Sequence, residues 1–131
     1  MADTMQFDLV SPERSLSSGP ASAVQIPATE GDMTAMPGHA PLITTLRPGI
    51  LSVTGPNGTE DYAVTGGFAE IGAEATTVLA ERAVPRHPDN RAEIEAHLEA
   101  ARKQAAEAAS EDKDGAEKVV ADLVKLLEDM E

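Results

Sequence analysis

Hydrophobic and polar positions alternate one for one through the first two-thirds of the chain and recur every three or four residues in the last third. Met5, Phe7 and Leu9 alternate with Gln6 and Asp8, and Val24 and Ile26 alternate with Ala23 and Gln25. Leu51 and Val53 flank Ser52, and Tyr62 and Val64 alternate with Asp61 and Thr65. A period of two sends successive side chains to opposite faces of a strand, so each run predicts a strand with one buried face. Ser11-Pro12, Gly19-Pro20, Pro37-Gly38 and Pro48-Gly49 separate the runs and are read as turns. Gly55-Pro56-Asn57-Gly58 predicts a hairpin tip, because Asn-Gly tolerates the positive φ of a tight turn. Gly66-Gly67 inside a strand pattern marks a bulge or a close backbone approach. Short strands at this even spacing predict a sandwich or barrel.

The period changes near residue 88. All nine prolines lie at or before Pro88, and nine of the ten glycines precede it, which leaves the rest free to form long helices. Residues 90–110 are rich in Ala, Glu, Arg and Lys, strong helix formers. Asn90 with Glu93 forms a candidate capping box, and Asp89 is the alternative cap. Ser110 through Gly115 is read as the turn of a helical hairpin, with Asp114 capping the second helix. That helix carries Val119, Val120, Leu123, Val124, Leu127 and Met130 along one face. The first helix offers mainly Ala101, Ala105 and Ala108, with Ile94 and Leu98 as its large residues. Glu128, Asp129 and Glu131 oppose the helix dipole, so the C-terminal end is expected to fray. The expected fold is an N-terminal β-sandwich over 1–88 followed by an antiparallel two-helix hairpin over 89–131. A hairpin of this size buries little area, which makes it the expected mobile half.

Composition narrows the partners. The net charge is −13, divided as −6 over residues 1–88 and −7 over 89–131, so both halves are acidic. Such a field opposes binding to nucleic acid phosphates or to an anionic lipid surface. There is no cysteine, and no stretch approaches the ~20 apolar residues of a membrane span. Met1 through Met5 lacks a basic segment and an apolar run, so no secretory signal is predicted there.

The search for chemistry ends without a site. Lysine is absent before Lys103, which removes a phosphate-binding loop, and no glycine cluster sits between a strand and a helix. His39, His87 and His97 lack the paired spacing of a zinc site, and no nucleophile elbow is present. No catalytic residue, metal or cofactor is expected. The residues describe an interaction protein.

A set of motifs in order is more specific. Phe7-Asp8-Leu9-Val10-Ser11-Pro12-Glu13-Arg14 opens it, followed by Ile26-Pro27, Glu30-Gly31-Asp32 and Pro37-Gly38-His39-Ala40-Pro41-Leu42. Leu46-Arg47-Pro48-Gly49, Gly66-Gly67-Phe68-Ala69-Glu70 and Val78-Leu79-Ala80-Glu81-Arg82-Ala83 complete it. Nearly the whole chain resembles the epsilon subunits of bacterial and chloroplast F-type ATP synthases, called delta in mitochondria. The resemblance implies a ten-stranded sandwich with a C-terminal hairpin. It implies a non-catalytic rotor subunit that joins the gamma shaft to the membrane ring. Expected partners are the gamma subunit and the ring subunits, with the catalytic alpha and beta subunits as transient ones. The expected location is peripheral, on the cytoplasmic face of a bacterial plasma membrane, without direct insertion. Glu30, Asp32, Pro37, Gly38 and His39 fall in the family's ring- or shaft-facing loop, with Asp32 and His39 as ring-side contacts.

Two departures from the family weigh on the hairpin. Members that use it as a brake carry basic residues on the second helix; here Lys118 and Lys125 face Glu117, Asp122, Glu128, Asp129 and Glu131. Weak or absent self-inhibition is therefore expected. Members that bind ATP carry Ile/Leu-Asp-x-x-Arg-Ala, whereas this chain has Pro88-Asp89-Asn90-Arg91-Ala92. The missing residue turns Arg91 by ~100° relative to Asp89 on a helix, leaving those two as a weak nucleotide contact only. The alternative reading is a free-standing acidic scaffold or regulator unrelated to the synthase.

Overall fold

A computed structural model of the chain describes residues 4–56 and 58–130. Ten strands come first: β1 (Met5–Ser11), β2 (Arg14–Ala21), β3 (Ala23–Ala28), β4 (Gly31–Ala35) and β5 (Leu42–Leu46). They continue as β6 (Gly49–Gly55), β7 (Gly58–Val64), β8 (Gly67–Ile71), β9 (Ala75–Ala80) and β10 (Ala83–Pro85). A 3-10 turn at Pro88–Asn90 leads into α1 (Arg91–Glu107) and α2 (Ser110–Asp129).

The strands run in the order β10-β7-β6-β3-β5-β8-β9-β1-β2, with β4 added on β3. Among the described residues, every pairing is antiparallel except β1 with β9. The strip folds at β3, which pairs β6 over Ala23–Gln25 but meets β5 only through Ala28 and Leu46. This is the expected ten-stranded sandwich. Its core gathers the alternating residues read from the sequence, Met5, Phe7, Leu9, Val24, Ile26, Leu51, Val53, Tyr62 and Val64, with Ile71 and Val78.

Gly67 explains the glycine pair. Its φ is +116°, and a Cβ there would lie 2.0 Å from the Leu79 carbonyl oxygen, so only glycine lets β8 and β9 meet. Gly19-Pro20, expected as a turn, instead lies inside β2 opposite Phe7 and Gln6. β2 is the last strand of the sheet, and an edge tolerates a proline that donates no hydrogen bond. The tip between β6 and β7 forms where expected, with Gly55 opposite Gly58; Asn57 lies outside the described residues.

A second apolar cluster holds the hairpin against the outside of the sandwich. Leu51, Val64 and Ala83 face inward, and their neighbours Ile50, Ala63 and Val84 meet Ile94, Leu98, Ala101, Leu123, Leu126, Leu127 and Met130. The docked helices thus bury the sheet face that alternation would leave to solvent. Leu126, off the expected stripe, is buried, while Val119, on it, is 39% exposed.

Two helix boundaries differ from expectation. The break between helices falls at Ala108 and Ala109, both extended, and Ser110 already begins α2. Glu111 and Asp112 in the first turn suit the positive helix end, so the helix starts early and Asp114 lies inside it. Asn90 forms no cap: its Nδ2 donates to the Pro85 carbonyl at 2.8 Å, and His87 instead accepts from the Asp89 N–H. At its C-terminal end, where fraying is expected, α2 continues to Asp129. Met130 is 1% exposed and Arg86 caps the helix from outside, so tertiary contact overrides the unfavourable dipole.

Candidate interaction site

The loop joining β4 to β5 is built on a tight turn. His39 N–H donates to the Met36 carbonyl at 3.1 Å, which puts Pro37 and Gly38 at the two central positions. Proline presets the first, and Gly38 with φ +87° suits the second of a type II turn. Gly38 N–H donates to the Ala73 carbonyl at 2.8 Å, pinning the loop to the turn between β8 and β9. His39 Nδ1 lies 2.6 Å from the Ala40 carbonyl; a carbonyl only accepts, so Nδ1 donates. Glu30 is exposed on the turn between β3 and β4.

Asp32 is already engaged within the chain. Arg47 Nη2 donates to its Oδ1 at 2.5 Å, while Arg47 Nη1 donates to the Ala28 carbonyl at 2.6 Å. One guanidinium therefore ties β4, the end of β3 and the turn before β6 together. Asp32 is 56% exposed, so solvent screening limits this pair to about 1 kcal/mol or less. Arg47 is the partner that sequence reading missed; Arg47-Pro48-Gly49 reads only as a turn.

The sheet beside this loop carries an apolar row that the chain leaves uncovered. Cross-strand register aligns Thr45 of β5, Phe68 of β8, Leu79 of β9 and Val10 of β1. Phe68 is 44% and Leu79 37% exposed, and with Val10 and Pro12 they line a shallow recess of about 430 Å³. Two residues along the same face of β5, Ile43 is 69% exposed, and Met36 and Leu42 extend the surface to the loop. Phe68 alternates with the buried Ala69 and Ile71 and lies on the outward face of β8.

A cleft of about 870 Å³ separates Thr45, Arg47, Gly67 and Phe68 from His97, Gln104, Lys118 and Val119 of the hairpin. Asp89 and Arg91 are not among its described lining residues. Asp89 faces His87 Nδ1 at 3.4 Å, and Arg91 Nη1 lies 4.0 Å from Glu95 Oε1. Of the two lysines expected to govern inhibition, Lys118 lies 3.0 Å from Asp122, while Lys125 stays 75% exposed and 3.9 Å from Asp129; Lys113 also falls within α2. Among the described residues, no group of side chains has metal-binding geometry, and no helix is long and apolar enough to cross a membrane.

These features define a contact-making protein: a sandwich with a docked helical hairpin, whose most exposed large apolar residues gather beside a hydrogen-bonded loop. The family described as the β-sandwich domain of the ATP synthase delta/epsilon chain matches residues 4–86. An ATP synthase epsilon chain of Ruegeria sp. (strain TM1040) is 58% identical over 131 residues, covering 100% of this chain and 94% of that protein. One of Cereibacter sphaeroides (strain ATCC 17025 / ATH 2.4.3) is 55% identical, covering 96% of each. A chain in the cryo-EM structure of the Euglena gracilis mitochondrial ATP synthase, OSCP/F1/c-ring in rotational state 1, shares the fold with a TM-score of 0.73. Its identity is 24%, with 98% of this chain and 82% of that chain covered. The chain belongs to the delta/epsilon family of F-type ATP synthases, whose members are non-catalytic subunits of that complex.

Proposed function

We propose that this chain is a central-stalk subunit that fastens the gamma shaft of an F-type ATP synthase to the membrane ring. The observation that carries this reading is the uncovered row of Phe68 and Leu79, continued by Ile43, beside the pinned Met36–Pro41 loop. The row is the shaft contact. Glu30, Pro37, Gly38 and His39 present the ring contact, while Asp32 shapes it through Arg47. Residues 1–88 carry the coupling role and 89–131 form a separate helical unit. Both work from the aqueous side of the membrane, the cytoplasmic face of a bacterial cell. The hairpin inhibits hydrolysis weakly, because Lys118 pairs with Asp122 within α2, acids outnumber lysines along that helix, and such a surface repels acidic catalytic subunits. Replacing Ile43 and Phe68 by aspartate in the assembled synthase is expected to release this chain on purification and uncouple hydrolysis from ion pumping. Retention of the doubly substituted chain with full coupling would refute the assignment of that face.

A further inference from the structure

A chain of polar contacts runs from the sandwich to the last turn of α2. Ser52 Oγ donates to Asp61 Oδ1 at 2.7 Å, and Arg86 Nη1 donates to Asp61 Oδ2 at 3.1 Å. Arg86 N–H also donates to the Asp61 carbonyl at 3.0 Å, fixing the backbone beside β7. The same guanidinium reaches across to the helix, where Nε donates to the Asp129 carbonyl at 2.7 Å.

Helix C-terminal carbonyls lack partners within the helix, and a cation there is favourable. α2 supplies no cation in its last turn; Glu128 and Asp129 occupy it. Lys125 stays 75% exposed, with the Asp129 carboxylate 3.9 Å away. Another ion pair between hairpin and sandwich, Arg82 to Glu93, spans 3.8 Å between two half-exposed side chains and so contributes little.

Burial along the hairpin is uneven in the same sense. Ile94, Leu98, Leu123, Leu126, Leu127 and Met130 are buried near the clasp. From Ala106 to Val119 every residue is exposed except half-buried Ala108 and Ala116, and the cleft separates this end from the sheet.

We propose that Arg86 is a clasp that fixes the order in which the hairpin opens. The tip, already parted from the sheet by the cleft, peels away first, and the base separates only when the bond from Arg86 to the Asp129 carbonyl breaks. The clasp stands on the contacts of this chain alone and is independent of the rotor reading.

Amide hydrogen exchange on the full-length chain tests it, read by peptide for the wild type, Arg86→Gln and Arg82→Gln. In the wild type, residues 106–118 are expected to exchange faster than 120–129. Arg86→Gln is expected to raise exchange over 120–129 about tenfold, the size of one lost charge-assisted hydrogen bond discounted for exposure, with strand peptides unchanged. Arg82→Gln is expected to change it less than about twofold. Unchanged exchange over 120–129 in Arg86→Gln overturns the proposal, as does an equal rise across the β-strands. If Arg86→Gln does not fold, Asp61→Asn removes the charge that orients the guanidinium. A rise confined to 120–129 then supports the clasp, and no rise overturns it.

Discussion

Sandwich and hairpin are held by the same force in unequal amounts. The sandwich closes Phe7, Leu9, Ile26, Leu51 and Ile71 between two layers of one folded sheet, and each element of that core is hydrogen-bonded to a neighbour. The hairpin rests one end of two helices on three sheet residues, Ile50, Ala63 and Val84, and leaves its far end in water. Removing the hairpin would uncover those three residues yet leave the inward-facing core intact. Removing the sandwich would leave the hairpin without a floor. Dependence therefore runs one way, and local opening free energies should rank accordingly.

Gly67→Ala strikes the stronger half. A methyl group 2.0 Å from the Leu79 oxygen, at a φ of +116°, is expected to destabilise the whole fold by more than about 3 kcal/mol. A urea melt would show this as one shifted transition; an unshifted midpoint would mean β8 and β9 separate easily. Leu123→Ala strikes the weaker half. Its side chain is fully buried, and truncation is expected to cost about 2–4 kcal/mol, confined to the helices. Helical ellipticity would then melt before the strands, and coincident transitions would make the two regions one cooperative unit.

Gly115→Ala works in the opposite direction. Nothing lies within 4 Å of the added methyl group, and the position is inside α2. A gain of about 0.5–1 kcal/mol for the hairpin is expected, read as slower exchange over its tip. The smallest effect concerns Tyr62. Burial raises its phenol above the ordinary value of 10.0, aided by its hydrogen bond to Glu60 at 2.7 Å. Because the folded value is the higher one, the contribution is whole below pH 10 and is lost as pH climbs through the folded value. Tyr62 is the sole tyrosine in a chain without tryptophan, so its ultraviolet titration reads one site. Its midpoint is expected above 10 in the folded chain and near 10 in urea; coincident midpoints would place the ring in solvent.

What the sequence disclosed follows from the range of each force. Alternation in Met5–Leu9 and Tyr62–Val64 identified core strands because facing is a local property. The turn at Pro37-Gly38 was legible because its φ demand falls on one residue. Gly19-Pro20 misled because only the full sheet order shows β2 to be an edge. The helical turn misled for another reason: two alanines broke the helices without any turn residue, so no compositional mark existed. The apolar face of Ile43 and Phe68 and the partners of Asp32 and Asp129 depend on residues distant in sequence. Long-range pairing left no local pattern for them.

The parallel pairing of β1 with β9 has a bearing on how the chain is made. β1 finds β2 as soon as the first hairpin leaves the ribosome, but its other edge must wait until Ala75–Ala80 has been synthesised. Sequence-distant closure of this kind is slow, and an unpaired edge attracts neighbouring chains meanwhile. Newborn copies therefore pass through an interval in which one edge of β1 stays open until β9 arrives, and that edge is where a neighbouring chain would add.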